Sequence, residues 1–234
     1  MNDGAILRMA GVGRVHGQGP HAVVALADVD LHVAPGELVA ITGRSGVGKS
    51  TLLNLAGGLD QPTTGSVHVD GIDLASLSAG RLAELRRRRI GVVFQHGNLL
   101  PTLTAVENVA LPLELDGVKP AEAWRAARDV LSQVADDTLV DRYPDEMSGG
   151  EQQRVAIARG LVGDRALLLA DEPTGALDEV TGEAVLDLLR RRCHAGVAAV
   201  MVTHDAAQAA WADRVVRLRD GRIESVVPSV EVAP

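Results

Sequence analysis

The stretch ELVAITGRSGVGKSTLLNLAGGL (residues 37–59) passes from a short apolar, β-rich run through a glycine loop into leucines spaced as on a helix. Within it, GRSGVGKS (43–50) fits G-x-x-x-x-G-K-[ST]. The strand before and the helix after are the context that makes this pattern a phosphate-binding loop rather than a chance glycine-rich turn. Gly43, Gly46 and Gly48 let backbone N–H groups turn inward on phosphate oxygens, and Arg44, Ser45 and Val47 complete the loop. Lys49 is placed to reach the β- and γ-phosphates, and the Ser50 hydroxyl to take a position on Mg²⁺. Thr51 follows in the helix, whose positive end adds to the attraction.

Outward from this loop, strand-like and helix-like runs alternate. GSVHVDG (65–71) is a short alternating strand, whereas IGVVFQ (90–95), ALLLAD (166–171) and VAAVMVTH (197–204) are continuous apolar runs that end in polar residues. Runs of that kind are expected of central parallel strands, buried on both faces. RVVRLRDGRIES (214–225) alternates around Asp220 and Gly221 and predicts a hairpin. Between residues 98 and 158 only helical patterns occur, as in AVENVALPLEL (105–115) and GGEQQRVAIA (149–158). The expected organisation is one domain over 1–234: an α/β core at 1–97 and 159–234, with an inserted helical sub-domain at 98–158. The last stretch, VVPSVEVAP (226–234), reads as a frayed tail.

Composition sets limits. Hydrophobic residues make up 46% and aromatics only 2%, so the core must be built from aliphatic side chains, which favours a helix-covered parallel sheet. The net charge of −8 argues against general nucleic-acid binding, which depends on Lys and Arg contacts to phosphates. The one basic run, Arg86 to Arg89, reads as a solvated helix end; membrane headgroups or a partner are the alternative. Cys193 is the only cysteine, which precludes an intrachain disulfide and reads as a small apolar helix residue. No basic head and long apolar segment open the chain, so no signal peptide is expected, and no apolar run approaches the ~18 residues of a membrane span.

Further candidates sit where strands end. Asp171, closing ALLLAD, is a carboxylate for Mg²⁺, and Glu172 beside it can polarise an attacking water. Both could instead only cap the strand before Pro173. His204 ends another apolar run, at the edge where open sheets bind ligands, and is assigned to the γ-phosphate. Gln95 ends IGVVFQ, where an amide can accept from a metal-bound water and relay nucleotide state into the next segment. No spacing of His and Cys indicates a transition-metal site. One stretch stands apart: MSGGEQQRVAIARG (147–160) opens a second helix with its own paired glycines, which one phosphate loop does not explain.

The order glycine loop, Gln95, SGGE, Asp171-Glu172, His204 strongly resembles the nucleotide-binding subunit of ABC transporters, from about Leu7 to Glu224. The resemblance implies a RecA-like P-loop fold: a parallel sheet core with an antiparallel β edge, plus the helical insertion. It also implies ATP hydrolysis with Mg²⁺ and a head-to-tail pair of subunits, each ATP lying between one P-loop and the other's signature helix. Ser148, Gly149, Gly150 and Glu151 would then serve the partner's nucleotide, and Asp178 would link the two sites. Met147 and Glu151 depart from the family's LSGGQ, Arg44 stands where proline is usual, and His16 falls where an aromatic normally stacks on adenine.

HGNLLPTLTAVENVALPLEL (96–115), YPDEMSGGEQQRVAIARGL (143–161) and LLADEPTGALD (168–178) resemble most the lipoprotein-release, macrolide-export and cell-division branch. That implies integral-membrane permease partners, contact of residues 96–103 with a short permease helix, a second ATP-binding subunit that pairs as a homodimer, and a peripheral position on the cytoplasmic face of the membrane. Polar amino-acid importers share much of the pattern. A soluble ABC ATPase acting on DNA or ribosomes usually carries a coiled-coil insertion or tandem cassettes, neither of which is present here. A non-hydrolysing regulatory module leaves Lys49, Glu172 and His204 unexplained, and other P-loop enzymes leave SGGE unexplained.

Overall fold

A computed structural model describes residues 4–229. Its strands in chain order are β1 (Leu7–His16), β2 (Val23–Val33), β3 (Leu38–Thr42), β4 (Thr64–Val69), β5 (Ile72–Asp73), β6 (Ile90–Val93), β7 (Leu167–Asp171), β8 (Ala198–Val202), β9 (Arg214–Arg219) and β10 (Arg222–Pro228). The helices are α1 (Lys49–Ala56), α2 (Ala79–Arg89), α3 (Ala105–Glu114), α4 (Pro120–Leu131), α5 (Gly149–Leu161), α6 (Glu179–His194) and α7 (Ala206–Ala209). No strand occurs between β6 and β7, where α3, α4 and α5 lie. Among the described residues, no helix is long and apolar enough to cross a membrane.

Six strands form one sheet in the order β10-β9-β3-β8-β7-β6, parallel except for the β9–β10 hairpin. The continuous apolar runs are explained by its two covered faces. Val39, Ile41, Leu167, Leu169 and Val200 pack with α1 and the second sheet, while Ala40, Leu168 and Met201 pack with α3, α5 and α6. Each leucine buried this completely stabilises the fold by roughly 1.5–3 kcal/mol.

The antiparallel strands are mostly a sheet of their own, ordered β2-β1-β4-β5. In β2 the alternation of Val29, Leu31 and Val33 with Asp30 and His32 buries one face, after Asp28 takes a left-handed backbone (φ 57°) at a register shift. The two sheets join where Ala27 N–H donates to Gly221 O, at the β9–β10 turn. That turn has Asp220 at φ 47° and Gly221 at φ 72°, the two-residue geometry expected from Asp-Gly.

Two expectations are corrected. The run at the end of α2 is not simply solvated. Arg86 donates to Gly58 O, Arg87 and Arg88 pair with Asp116 beyond α3, and Arg89 pairs with Asp70 and Asp164. These ion pairs staple α2 to the segments around it. Nor is the end of the chain frayed up to Ser229: Val226, Val227 and Pro228 pair with β9 in register. The remaining residues of that stretch, 230–234, lie outside the described residues.

Candidate active site

The C-terminal ends of four adjacent parallel strands deliver the site. β3 leads into the glycine loop, β8 into Thr203 and His204, β7 ends at Asp171, and β6 is followed by Phe94 and Gln95. An open parallel sheet binds ligands at this edge. The cleft there has a volume of about 580 Å³ and is lined by Gly43, Arg44, Ser45, Gly46, Gly48, Lys49, Ser50, Thr51, Gln95, Asp171, Glu172 and His204, with Val23, Val24 and Ala25 opposite.

Steric limits fix the loop glycines. A Cβ on Gly43 would stand 2.3 Å from Leu218 O, and one on Gly48 2.3 Å from Ala25 O, with φ at 152° and 105°. Lys49 Nζ donates to Gly43 O at 2.7 Å and Arg44 O at 2.9 Å, so the ammonium sits across the mouth of the loop. α1 starts there without a side-chain cap, leaving its first N–H groups to the cleft.

Ser50 Oγ donates to Asp171 Oδ2 at 2.7 Å. With Gln95 in the same cleft, the donor set is all oxygen, as a hard divalent cation requires. Glu172 is held by its N–H donating to Val202 O at 2.9 Å and adopts φ 47°, a left-handed backbone that a non-glycine residue takes only when its surroundings enforce it. It is 9% exposed, and Oε1 accepts from His204 Nδ1–H at 2.7 Å, while Oε2 has no partner among the described residues. The hydrogen bond to the Glu172 carboxylate, and then its charge, raise the His204 pKa above the ordinary histidine value. Thr203, fully buried, accepts from Asp205 N–H and donates to Gln208, which fixes the turn carrying His204.

The other sequence candidates lie elsewhere. Val47 faces a neighbouring cavity beside Leu218. His16 does not line the cleft, but it is the β1 register partner of Val23, which does. Ser148, Gly149, Gly150, Glu151 and Asp178 are absent from the cleft. Ser148 caps α5 by accepting from Glu151 N–H, while Glu151 Oε2 accepts from Ser148 N–H at 2.7 Å. These hydrogen bonds lower the Glu151 pKa. Asp178 caps α6 through Thr181 N–H and Oγ1, which lowers its pKa. Sequence patterns gave no sign of Val23 and Val24; their exposure, 63% and 58%, marks them only once the P-loop stands beside them.

The family described as ABC transporter matches residues 26–175 of this chain. The chain belongs to the ABC transporter family. ATP-binding cassettes of that family bind ATP and hydrolyse it to power transport. The macrolide export ATP-binding/permease protein MacB 1/2 of Paracoccus denitrificans is 48% identical over 219 residues, 93% of this chain and 33% of that protein. The chain therefore spans about a third of that relative's length. The lipoprotein-releasing system ATP-binding protein LolD of Chromohalobacter salexigens is 44% identical, covering 95% of this chain and 94% of LolD. A dimeric structure of the ATP-binding cassette MJ0796 bound to ADP and Pi superposes with a TM-score of 0.91 at 39% identity, over 95% of this chain and 98% of that one. The ABC cassette fold implied by the motifs is thus the fold of the chain, with its antiparallel strands gathered into a separate sheet.

Proposed function

We propose that this chain is the ATP-hydrolysing subunit of an export or force-transmitting ABC complex, peripheral on the cytoplasmic face of the membrane, bound to integral-membrane permease subunits and paired head to tail with a second ATP-binding subunit, in the simplest arrangement another copy of itself. The observation that carries it is a division of machinery. Lys49, Ser50, Asp171, Glu172 and His204 share one cleft, and the signature residues Ser148, Gly149 and Gly150 lie outside it. The two glycines differ as this reading requires. A Cβ on Gly150 would touch Ala176 O at 3.2 Å within the chain, whereas one on Gly149 meets nothing within 4 Å, so space there serves an approach from outside. A groove of about 410 Å³ lined by Leu59, Phe94, Asn98, Leu100, Leu115 and Arg159 supports docking of a permease helix beside residues 96–103.

In hydrolysis, Lys49 exchanges its loop carbonyls for β- and γ-phosphate oxygens. Glu172 Oε2, buried without a protein partner, accepts the proton of the water that attacks the γ-phosphorus, and the bond to the ADP oxygen breaks. A protonated His204 keeps Nδ1–H on Glu172 and turns Nε2–H to the γ-phosphate. Ser50, Asp171 and Gln95 would hold Mg²⁺, which when bound neutralises charge on the β- and γ-phosphates. His16, beside Val23, would border adenine, and Asp178 would face the partner.

Glu172→Gln should convert the chain into an ATP-dependent dimer on sizing. A monomer at saturating ATP would remove the head-to-tail arrangement. Gentle solubilisation of membranes containing the tagged chain tests the branch: a permease with few spans and a large external domain is expected, and soluble or ribosomal partners alone would exclude transport.

A further inference from the structure

The signature helix α5 is bonded to both flanks of its own chain's catalytic residues. Gln153, on its second turn, is 1% exposed, and its Nε2 donates to Phe94 O at 3.2 Å and to Pro173 O at 3.2 Å. Phe94 immediately precedes Gln95, and Pro173 immediately follows Glu172. One amide therefore ties the strand end that carries the glutamine to the strained turn that carries the glutamate. Further along α5, Arg159 donates through Nη2 to Gly97 O and through Nη1 to Asn98 O, both at 2.9 Å. Among the described residues no carboxylate pairs with it, and burial lowers its pKa. The planar fork thus spans two carbonyls on the far side of Gln95, a geometry that a lysine cannot reproduce.

Close packing leaves little slack between these groups. A Cβ on Gly91 of β6 would stand 2.0 Å from Gly160 O of α5, and one on Gly97 3.1 Å from Gln152 O. With such contacts α5 cannot slide along β6 without moving the carbonyls it holds.

We propose that Gln153 and Arg159 are positioning residues for hydrolysis: they lock Gln95 and Glu172 to the signature helix as one unit. This rests on the head-to-tail reading above. In that pairing Ser148, at the start of α5, meets the partner's nucleotide, so displacement of the helix at one nucleotide is imposed directly on the glutamine and glutamate serving the other. Gln153 bears on both catalytic groups, and Arg159 on Gln95 alone.

The test is Gln153→Leu, which keeps the volume and deletes both bonds, assayed in the full chain with kcat and KM for ATP normalised to folded protein by circular dichroism. The expected result is a kcat at least about tenfold lower with KM within about threefold, because positioning is expressed in the transition state rather than in ground-state binding. A kcat per folded molecule within twofold of the parent, or a rise in KM alone, overturns the proposal. If Gln153→Leu does not fold, Arg159→Lys carries the same readout, with the same outcomes deciding it. The pairing is checked separately with Glu172→Gln alone. If Glu172→Gln alone forms no ATP-dependent dimer, the head-to-tail reading has failed. If it dimerises and Gln153→Leu leaves kcat intact, only the positioning role has failed.

Discussion

Glu172 Oε1 and His204 Nδ1 lie 2.7 Å apart at the ends of neighbouring strands, and the bond gives the two residues one electrostatic character. Because the carboxylate raises the histidine pKa, the imidazolium persists to higher pH than in a free chain. In an NMR titration the His204 midpoint should lie above the ordinary histidine value, and Glu172→Gln should bring it back down. The sign for stability follows from linkage. The contribution is fully present below the unfolded value of about 6.5 and is lost as pH rises through the folded pKa. His204→Ala should cost relatively more thermal stability at pH 6 than at pH 9.

Lys49→Ala removes the cation that spans the mouth of the glycine loop, where it bonds Gly43 O and Arg44 O. Phosphate release should fall by about two to three orders of magnitude, the loss typical of one preorganised donor at developing charge. Turnover near the parent rate would remove the catalytic assignment of this loop.

The paired glycines of the signature separate folding from pairing. A Cβ at Gly149→Ala meets no other segment of the described residues within 4 Å, so it should leave the melting temperature unchanged or raise it, by up to about 1 kcal/mol of stability from reduced unfolded-state entropy. Hydrolysis should nonetheless fall about tenfold or more, because in the proposed head-to-tail pair the added methyl would stand where the partner's phosphate approaches. Gly150→Ala presses on Ala176 O, so its stability gain should be cancelled. Equal melting shifts with full activity in both variants would argue against any approach from outside.

Acid should act partly through Asp213. Its carboxylate takes a two-armed contact from Arg190 at 2.7 Å and accepts from Leu38 N–H, tying α6 and the start of β9 to β3. The Arg190 hydrogen bond is the main reason its pKa lies below the usual carboxylate value. That stabilisation is present above about pH 3.9 and is lost as pH falls through the lower folded pKa. The melting deficit of Asp213→Asn should be largest near neutrality and should shrink toward pH 3.

Much of the candidate cleft is legible in the sequence because each of its polar residues ends an apolar strand or begins a helix. Lys49, Ser50, Asp171, Glu172, His204 and Gln95 were all marked this way, and all line one cleft. Residues whose role comes from distant backbone left no such mark. Gln153 and Arg159 read as ordinary polar positions of a helix, because the carbonyls they bind are 20 to 62 residues away. The arginines ending α2 looked solvated for the same reason: Asp116 and Asp164, which pair with them, are remote in sequence.

By itself the sequence determined the family, the phosphate loop and the strand ends that carry chemistry, since these depend on local backbone demands and on side-chain type at fixed spacing. Only the tertiary structure decided which residues share a cleft, that the signature residues stand outside it, and that the helix they begin is bonded beside both Gln95 and Glu172. Those facts depend on which strands lie side by side, and strand order is set by packing across the whole chain rather than by any local stretch of it.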